Sequence, residues 1–306
     1  TTFAPESSLP LVLFPSSSPP PSRDEESAQR PPPSPPPSSR LHCRGATPLW
    51  EDVRMISRVL LVLLASASVH SRPSSSRSAA GPLGRSARGF QRSLVSRGRD
   101  VDLRELVEAT RELCAVLLKF GAYMGPSVSD VRRNLERIEE ARRKWLRASP
   151  RRQQLSMKAL LAAEVVAEIH GRGGVLADPS GAMGLLWVRR GLAMWADTFE
   201  QQARAMQQAA VTGEGEGSLA AHTRVAYERT VQAHHGWVSR RAFGVACRAT
   251  PDWETVVRRA GLRTDKGGDE ALRLELKCWA AAVRDLTEAM RSLHEDRDLE
   301  DRRKSV

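Results

Sequence analysis

The sequence predicts an all-α fold of about eight helices that follows a disordered N-terminal leader. Apolar residues recur at helical spacing from about residue 100 onward, and the alternating pattern typical of strands is absent there. The prolines are unevenly distributed, since 15 of the 19 lie in residues 1–100. Proline- and serine-rich runs in that range offer too little apolar surface to offset the entropy lost on ordering.

Residues 1–99 are therefore predicted to be a leader without a fold of its own. The stretch MISRVLLVLLASASV, which starts at Met55, has one arginine, an apolar run and small residues, as a secretory signal does. The continuation to Arg99 is rich in serine and arginine and contains no acidic residue, as in transit peptides. Two interpretations stay open: a targeting peptide that starts at Met55, and a translated upstream region without a targeting role.

Helical spacing predicts eight helices over residues 100–295. The first is expected to begin at Asp100, as its N-cap, and to end at GAYMGPS. The others are expected at about residues 127–147, 153–170, 180–210, 218–233, 236–248, 252–260 and 270–295. Residues 296–306 are a charged tail, which is expected to be frayed.

Charge and cysteine content limit the classes of partner. The chain carries a net charge of +11, of which residues 1–100 supply +6 (13 Arg against 7 Asp and Glu), so the helical part is only mildly basic. This mild basicity suits an anionic membrane surface. Charges of both signs are interspersed, which argues against nucleic acid. No cysteine pair has C-x-x-C spacing, so Cys114, Cys247 and Cys278 are predicted to be buried free thiols.

A polar row is predicted on the second helix. Asp130, Asn134 and Arg137 are spaced i, i+4 and i+7, which places them on one narrow face beside an apolar stripe. A carboxylate accepts hydrogen bonds, a guanidinium donates them and an amide does both, so this row suits a ligand with several hydroxyls. The alternative is a solvated helix face with a weak charge pair.

Two further stretches, GLLWVRRGLAMW and QAHHGWVSRR, contain candidate ligand residues. Trp187 lies beside an apolar stripe, so its ring either fills the core or contacts a ligand. His235 ends one predicted helix, and it either satisfies a carbonyl or hydrogen-bonds a buried ligand group. No acidic residue or cysteine follows the histidine pair at ligand spacing, so no metal site is predicted. Nucleophile motifs and glycine-rich phosphate loops are absent, so no enzyme is predicted.

Taken in order, SDVRRNLER, GLLWVRRGL and AHHGW resemble the glycolipid transfer protein family, over about residues 101–290. The resemblance implies a two-layer helical sandwich that encloses an apolar lipid pocket. It also implies a monomer without cofactors that moves glycosphingolipids between membranes and catalyses no reaction. The implied location is the cytoplasm, or an organelle or the secretory route if the leader from Met55 is genuine.

The resemblance also implies a role for each candidate residue. Asp130 and Asn134 would hydrogen-bond the ceramide-linked sugar and the amide. Arg137, where the family usually has lysine, would reach another sugar hydroxyl. Trp187 would stack on the first sugar, and His235 would bond the amide carbonyl of the ceramide.

Membrane docking is the last implied role. Trp237 would insert at the interface, with Arg240 and Arg241 beside it to meet anionic lipid. A second branch of the family carries ceramide-1-phosphate and has basic residues where this chain has Asn134 and Trp187, so the sequence favours a neutral sugar headgroup. Two alternatives stay open: ceramide-1-phosphate transfer, and a glycolipid sensor or adaptor without fast transfer. The tail DRRKSV lacks the family's aromatic, apolar end, so a closing contact from the terminus is not implied.

Overall fold

The computed structural model describes residues 81–148, 156–213, 215, 217–263 and 268–303. Within this part of the chain there are nine α-helices: α1 (Pro82–Ser93), α2 (Leu103–Phe120), α3 (Gly125–Ala148), α4 (Met157–Val166), α5 (Gly181–Thr212), α6 (Leu219–Thr230), α7 (Trp237–Arg248), α8 (Trp253–Ala260) and α9 (Gly268–Glu295). The predicted all-α fold is confirmed, with one helix more than expected. None of these nine helices is long and apolar enough to cross a membrane. The possible targeting peptide from Met55 lies outside the described residues.

The predicted start of the helical domain at residue 100 is wrong. Helix α1 lies inside the range that was expected to be disordered, yet Leu83 and Phe90 are fully buried. Phe90 packs edge-on against Trp279 of α9 at 5.9 Å between ring centres, and the Trp279 indole donates to Ser86 Oγ at 3.1 Å. Because α1 buries its apolar face against α2 and α9, residues 82–99 belong to the folded domain.

The connection from α1 to α2 also differs from the prediction, which had no strands. Two short strands, β1 (Leu94–Val95) and β2 (Asp100–Val101), pair in antiparallel orientation. Asp100 lies in β2, where its carboxylate accepts a hydrogen bond from the backbone N–H of Lys158 at 3.0 Å. The N-cap of α2 is Asp102, whose side chain accepts from two backbone amides of the first turn.

Helix α5 lies at the centre of the packing and contacts α3, α6 and α9. The buried carboxylate of Glu164 on α4 accepts hydrogen bonds from the backbone N–H groups of Gly181 at 2.8 Å and Ala182 at 2.9 Å. A negative charge there complements the positive end of the helix dipole. At Gly184, α5 approaches α3 so closely that a Cβ atom would lie 2.8 Å from the carbonyl oxygen of Asn134. Trp187, less than one turn further along, is thereby held beside the polar row of α3.

The C-terminal tail is packed rather than frayed over its described part, residues 296–303. Leu299 and Asp301 are buried. The Asp301 carboxylate accepts a hydrogen bond from the backbone N–H of Leu176 at 3.1 Å, and Arg303 donates to the Leu176 carbonyl at 3.1 Å. The predicted fraying is wrong because these polar contacts, together with burial of Leu299 in the apolar core, anchor the tail.

The cysteines follow the prediction at two of three positions. Cys114 and Cys247 are buried free thiols, and burial raises the pKa of Cys114 to about 11. Cys278 is exposed, because the turn of α9 that buries Leu276 and Trp279 directs Cys278 to the opposite side of the helix. Within the described residues, no group of three His, Cys, Asp or Glu side chains is placed to hold a metal ion.

Candidate functional site

A cavity of about 360 Å³ lies where α3, α5 and α7 meet. Its lining includes all five of the predicted headgroup residues, namely Asp130, Asn134, Arg137, Trp187 and His235. Three come from α3, one comes from α5, and one lies in the turn before α7. The structure therefore brings together side chains that lie more than 100 positions apart in the sequence.

The polar row on α3 is held in place by hydrogen bonds among its own members. Asn134, only 4% exposed, donates from Nδ2 to the backbone carbonyl of Asp130 at 3.1 Å. Arg137 donates from Nη1 to Asn134 Oδ1 at 3.2 Å and forms an ion pair from Nη2 to Asp178 at 2.9 Å. The row is thus ordered before a ligand arrives, and the second Nδ2 hydrogen of Asn134 is left for a ligand oxygen.

The charged side chains that line the cavity cancel one another. Asp130 pairs with Arg133 at 2.9 Å, and Asp178 pairs with Arg137. Two carboxylates and two guanidiniums give this part of the wall a formal charge of zero. Asp178 and Arg133 were not among the predicted site residues. Arg133 could have been found from its spacing to Asp130, whereas the contact of Asp178 with α3 depends on tertiary structure.

Trp187 is half-buried and lines the cavity with part of its ring. The His235 imidazole lies 5.5 Å from it between ring centres, at an interplanar angle of 30°. The Arg190 guanidinium lies 5.4 Å from the centre of the same ring. Trp187 therefore lines the cavity while packing against protein groups, and its contact with a ligand stays a prediction.

Tyr227 of α6 orients His235 and was missed in the sequence. Its hydroxyl lies 2.9 Å from His235 Nδ1. Burial raises the pKa of Tyr227 to about 12 and lowers the pKa of His235, so both groups are neutral at pH 7. The phenol is the stronger donor of the two, so we assign its proton to a hydrogen bond onto Nδ1. That assignment leaves an N–H at Nε2 that can donate to a ligand acceptor.

The remaining wall of the cavity is mostly apolar. It is formed by α7 with its C-cap, the 3₁₀ turn Ala122–Met124 and the first turn of α3, through Ala122, Tyr123, Pro126, Ala242, Phe243, Val245, Ala246 and Ala249. Phe243 stacks on Tyr227 with 3.7 Å between ring centres. A second cavity of about 50 Å³ shares Tyr123 and Phe243 with the first and reaches Trp195. These two aromatic rings therefore border both cavities.

The predicted docking residues lie on α7, next to the cavity rather than in its lining. Trp237 is 67% exposed, and the Arg241 guanidinium lies 4.7 Å from the centre of its ring. Arg240 donates from Nε to the carbonyls of Gln232 at 3.1 Å and His235 at 2.8 Å, so it stabilises the turn that carries His235. A docking role for Trp237, Arg240 and Arg241 stays a prediction.

Comparison with known sequences matches residues 101–261, just over half of the chain, to the family model described as Glycolipid transfer protein (GLTP). The human protein PLEKHA9 is 24% identical over 172 residues. That match covers 56% of this chain and 40% of PLEKHA9, so the chain spans less than half the length of this relative.

Comparison with solved structures finds the same fold in proteins named for two classes of lipid. The mouse ceramide-1-phosphate transfer protein superposes with a TM-score of 0.59 at 20% identity, covering 72% of this chain and 98% of that one. The fungal glycolipid transfer protein HET-C2 superposes with a TM-score of 0.51 at 22% identity, covering 68% and 92%. The match over residues 101–261 shows that the chain belongs to the glycolipid transfer protein family, whose members are lipid transfer proteins rather than enzymes.

Proposed function

We propose that this protein transfers glycosphingolipids between membranes and catalyses no reaction. The proposal rests on the convergence of Asp130, Asn134, Arg137, Trp187 and His235 on one cavity whose other wall is apolar. Exposing a lipid chain to water costs about 0.8 kcal/mol per CH₂ group, so unassisted exchange is slow. A cavity that holds the headgroup at its polar side and admits chains at its apolar side lowers that barrier.

Each group at the polar side suits a part of a sugar–ceramide headgroup. The Asp130 carboxylate is 57% exposed and has lone pairs beyond the one that Arg133 engages, so it can accept from sugar hydroxyls. Trp187 offers an aromatic face to the C–H side of a sugar ring. His235 Nε2–H is a donor for the amide carbonyl, and Asn134 can bond the ligand through its remaining N–H.

The charge balance of the wall supports a neutral headgroup over a phosphate. A phosphate is bound best by arginine or lysine side chains that are free to make charge-assisted hydrogen bonds. Here both cavity arginines already pair with carboxylates, Arg133 with Asp130 and Arg137 with Asp178. An incoming phosphate would have to displace an aspartate or lie beside one, whereas a sugar can bond to the paired groups as they stand.

Membrane contact is proposed to occur at the start of α7. Trp237 is exposed and an indole favours the lipid–water interface, while Arg241 beside it is attracted to anionic lipid. The same helix supplies Phe243 and Val245 to the apolar wall of the cavity. Docking through Trp237 would therefore bring the cavity wall to the membrane surface.

The test is transfer of fluorescent galactosylceramide and ceramide-1-phosphate between phosphatidylcholine vesicles, with the wild type and Asp130→Val compared. We expect galactosylceramide transfer by the wild type and its loss in Asp130→Val. The fold should persist, because an exposed ion pair contributes only about 0–1 kcal/mol. Glu140→Val is the matched control, since Glu140 is an exposed carboxylate on the same helix, away from the cavity. It should transfer at the wild-type rate.

The outcomes separate the candidate functions. Faster transfer of ceramide-1-phosphate than of galactosylceramide would favour the phosphate-carrying alternative. Binding of galactosylceramide without transfer would indicate a sensor or adaptor. Normal transfer by Asp130→Val would contradict the assignment of this cavity. Mass spectrometry of lipids extracted from the purified protein would identify the headgroup directly.

A further inference from the structure

Two buried arginines lie two and three positions after Trp187 on α5. Arg189 and Arg190 are 8% and 5% exposed. Neither lines the cavity, but the Arg190 guanidinium is in contact with the Trp187 ring, at 5.4 Å from its centre. The positive charge of Arg190 therefore lies one aromatic ring away from the place proposed for the headgroup.

One carboxylate from the C-terminal tail forms ion pairs with both arginines. Glu300 accepts from Arg189 Nη2 at 2.5 Å and 2.6 Å, through its two oxygens, and lies 3.7 Å from Arg190 Nη2. Arg190 also donates to the backbone carbonyl of Asp301. Arg189 Nε and Arg190 Nη1 are buried without a hydrogen-bond partner in the described part of the chain. The pair thus retains donors, and one unit of positive charge, that Glu300 does not satisfy.

The tail that carries Glu300 is fixed on both sides of the headgroup site. Asp301 and Arg303 bond the backbone of Leu176, two residues before the cavity residue Asp178. The Arg303 carbonyl lies 3.3 Å from Nδ1 of His234, the neighbour of His235. Burial lowers the pKa of Arg190 to about 10, and the nearby Glu300 charge opposes that shift. Among the described residues, Glu300 is the carboxylate that lies within 4 Å of both arginines.

We propose that Glu300 is a specificity-determining residue, an internal anion that occupies Arg189 and Arg190 and so excludes phosphate-bearing sphingolipids from the site. This inference rests on the proposed function, since it assumes that Trp187 marks the headgroup position. Without the Glu300 carboxylate, Arg190 would keep its charge and its unsatisfied donors next to Trp187. A phosphate monoester supplies the matching acceptors, whereas a neutral sugar gains little from the change.

The first test compares uptake of fluorescent ceramide-1-phosphate from phosphatidylcholine vesicles by the wild type and Glu300→Gln. We expect uptake to rise about tenfold or more, because hydrogen bonds to charged groups are the strong ones. Galactosylceramide uptake should change by less than about threefold. Glu295→Gln is the matched control, because Glu295 is an exposed acidic residue at the end of α9 that pairs with exposed Arg291. It should leave both uptakes unchanged.

A second variant tests the proposal without leaving Arg189 buried and unpaired. Glu300→Gln leaves Arg189 buried without its anion, and removing one partner of a buried ion pair is destabilising. The double variant Arg189→Met/Glu300→Gln removes the pair as a whole, which proteins often tolerate, and leaves Arg190 as the single cation. It should also take up more ceramide-1-phosphate than the wild type. Adding Arg190→Met should abolish the gain.

Unchanged ceramide-1-phosphate uptake in a folded Arg189→Met/Glu300→Gln protein would overturn the proposal, and so would a gain that persists after Arg190→Met. Failure of the proposed function is a separate result. It would show as absent galactosylceramide transfer by the wild type, whereas the role of Glu300 is read from the ratio of ceramide-1-phosphate uptake between variants.

Discussion

Trp187 has two sets of contacts, and they have different consequences. On one side its ring contacts protein groups, His235 at 5.5 Å and Arg190 at 5.4 Å. It also lines the cavity. Substitution at this position therefore removes both a packing contact and a surface for the ligand, and stability and lipid uptake must be measured together.

We expect Trp187→Ala to weaken galactosylceramide uptake about fivefold, since aromatic contacts contribute roughly 0.5–1.5 kcal/mol beyond the area they bury. Uptake is measured from vesicles and stability by urea denaturation. Trp145→Ala is the matched control, because Trp145 is also half-buried but lies near the other end of α3. The control should lose comparable stability and keep its lipid uptake. Equal uptake by both variants would make Trp187 a packing residue only.

At the scale of helices, the crossing of α3 and α5 sets the shape of the site. Gly184 permits the close approach, because its missing side chain leaves room for the Asn134 carbonyl. Gly191 lies on the same helix, and a Cβ there would meet nothing within 4 Å. The two glycines therefore form a natural pair for comparison.

Gly184→Ala should force α3 and α5 apart at the polar row and cost about 1–3 kcal/mol, the usual penalty of overpacking. Lipid uptake should fall because Asn134 and Trp187 separate. Gly191→Ala should instead stabilise the helix by up to about 1 kcal/mol, since alanine is the better helix former. Urea denaturation and vesicle uptake measure the two effects. A Gly184→Ala protein with normal stability would show that the crossing is not tight.

The contact between α9 and α5 includes a buried histidine that should make stability depend on pH. His294 Nδ1 lies 2.9 Å from the Met290 carbonyl oxygen and Nε2 lies 3.3 Å from that of Ala182, so the neutral ring, with one N–H, donates to one of the two. Burial, followed by the Arg189 charge, lowers the pKa of His294 to about 4. Below about pH 6.5 the unfolded chain protonates this residue while the folded chain does not. Stability is therefore full above pH 6.5 and falls as the pH decreases toward 4.

This histidine should add a slope of up to about 1.4 kcal/mol per pH unit to the free energy of unfolding between pH 6.5 and 4. Urea denaturation of the wild type and His294→Gln at several pH values measures the slope. The variant should show a shallower slope of unfolding free energy against pH. Some slope should remain, because the pKa values of His222, His234 and His235 are also lowered and add a dependence of the same sign. Parallel slopes would contradict the assignment to His294.

Helices with a strong apolar period could be predicted from sequence, but α1 could not. Its apolar residues Leu83, Ala87 and Phe90 have helical spacing, and Pro82 is at its first position. Serine, arginine, glycine and one glutamine fill the remaining positions, so the segment has the serine- and arginine-rich composition of the sequence around it. Burial of α1 depends on partners such as Trp279, almost 200 residues away, which local patterns do not reveal.

For the molecule as a whole, α1 determines how far the N-terminus can be truncated without loss of the fold. A chain that begins at residue 81 keeps Leu83 and Phe90 in the core, whereas one that begins at residue 100 exposes the surfaces that they cover. Because loss of a single buried phenylalanine side chain costs about 3–5 kcal/mol, the shorter chain should fail to fold cooperatively. Circular dichroism with urea denaturation measures this. Equal stability of the two chains would show that α1 is dispensable.

The residues that line the candidate site could be predicted from the sequence, but the side chains from other parts of the fold that hydrogen-bond or ion-pair with them could not. The order of SDVRRNLER, GLLWVRRGL and AHHGW identified the five residues that converge on the cavity. Their partners Tyr227 and Asp178, and Glu300, which pairs with Arg189, carry no local signal, because each acts through a contact made in three dimensions. Glu300 in particular lies in a charged tail that, as sequence, is typical of a solvated end.

The paired charges on the cavity wall have a consequence for kinetics. At physiological ionic strength the Debye length is about 8 Å, so oppositely charged groups at 2.9 Å present almost no net field to an approaching ligand. Arg241, in contrast, is exposed beside Trp237 and should be felt by an anionic bilayer. Added salt should therefore slow the encounter with anionic vesicles and leave the lifetime of the bound lipid unchanged. Varying the ionic strength would thus separate the rate of membrane docking from the rate of headgroup release.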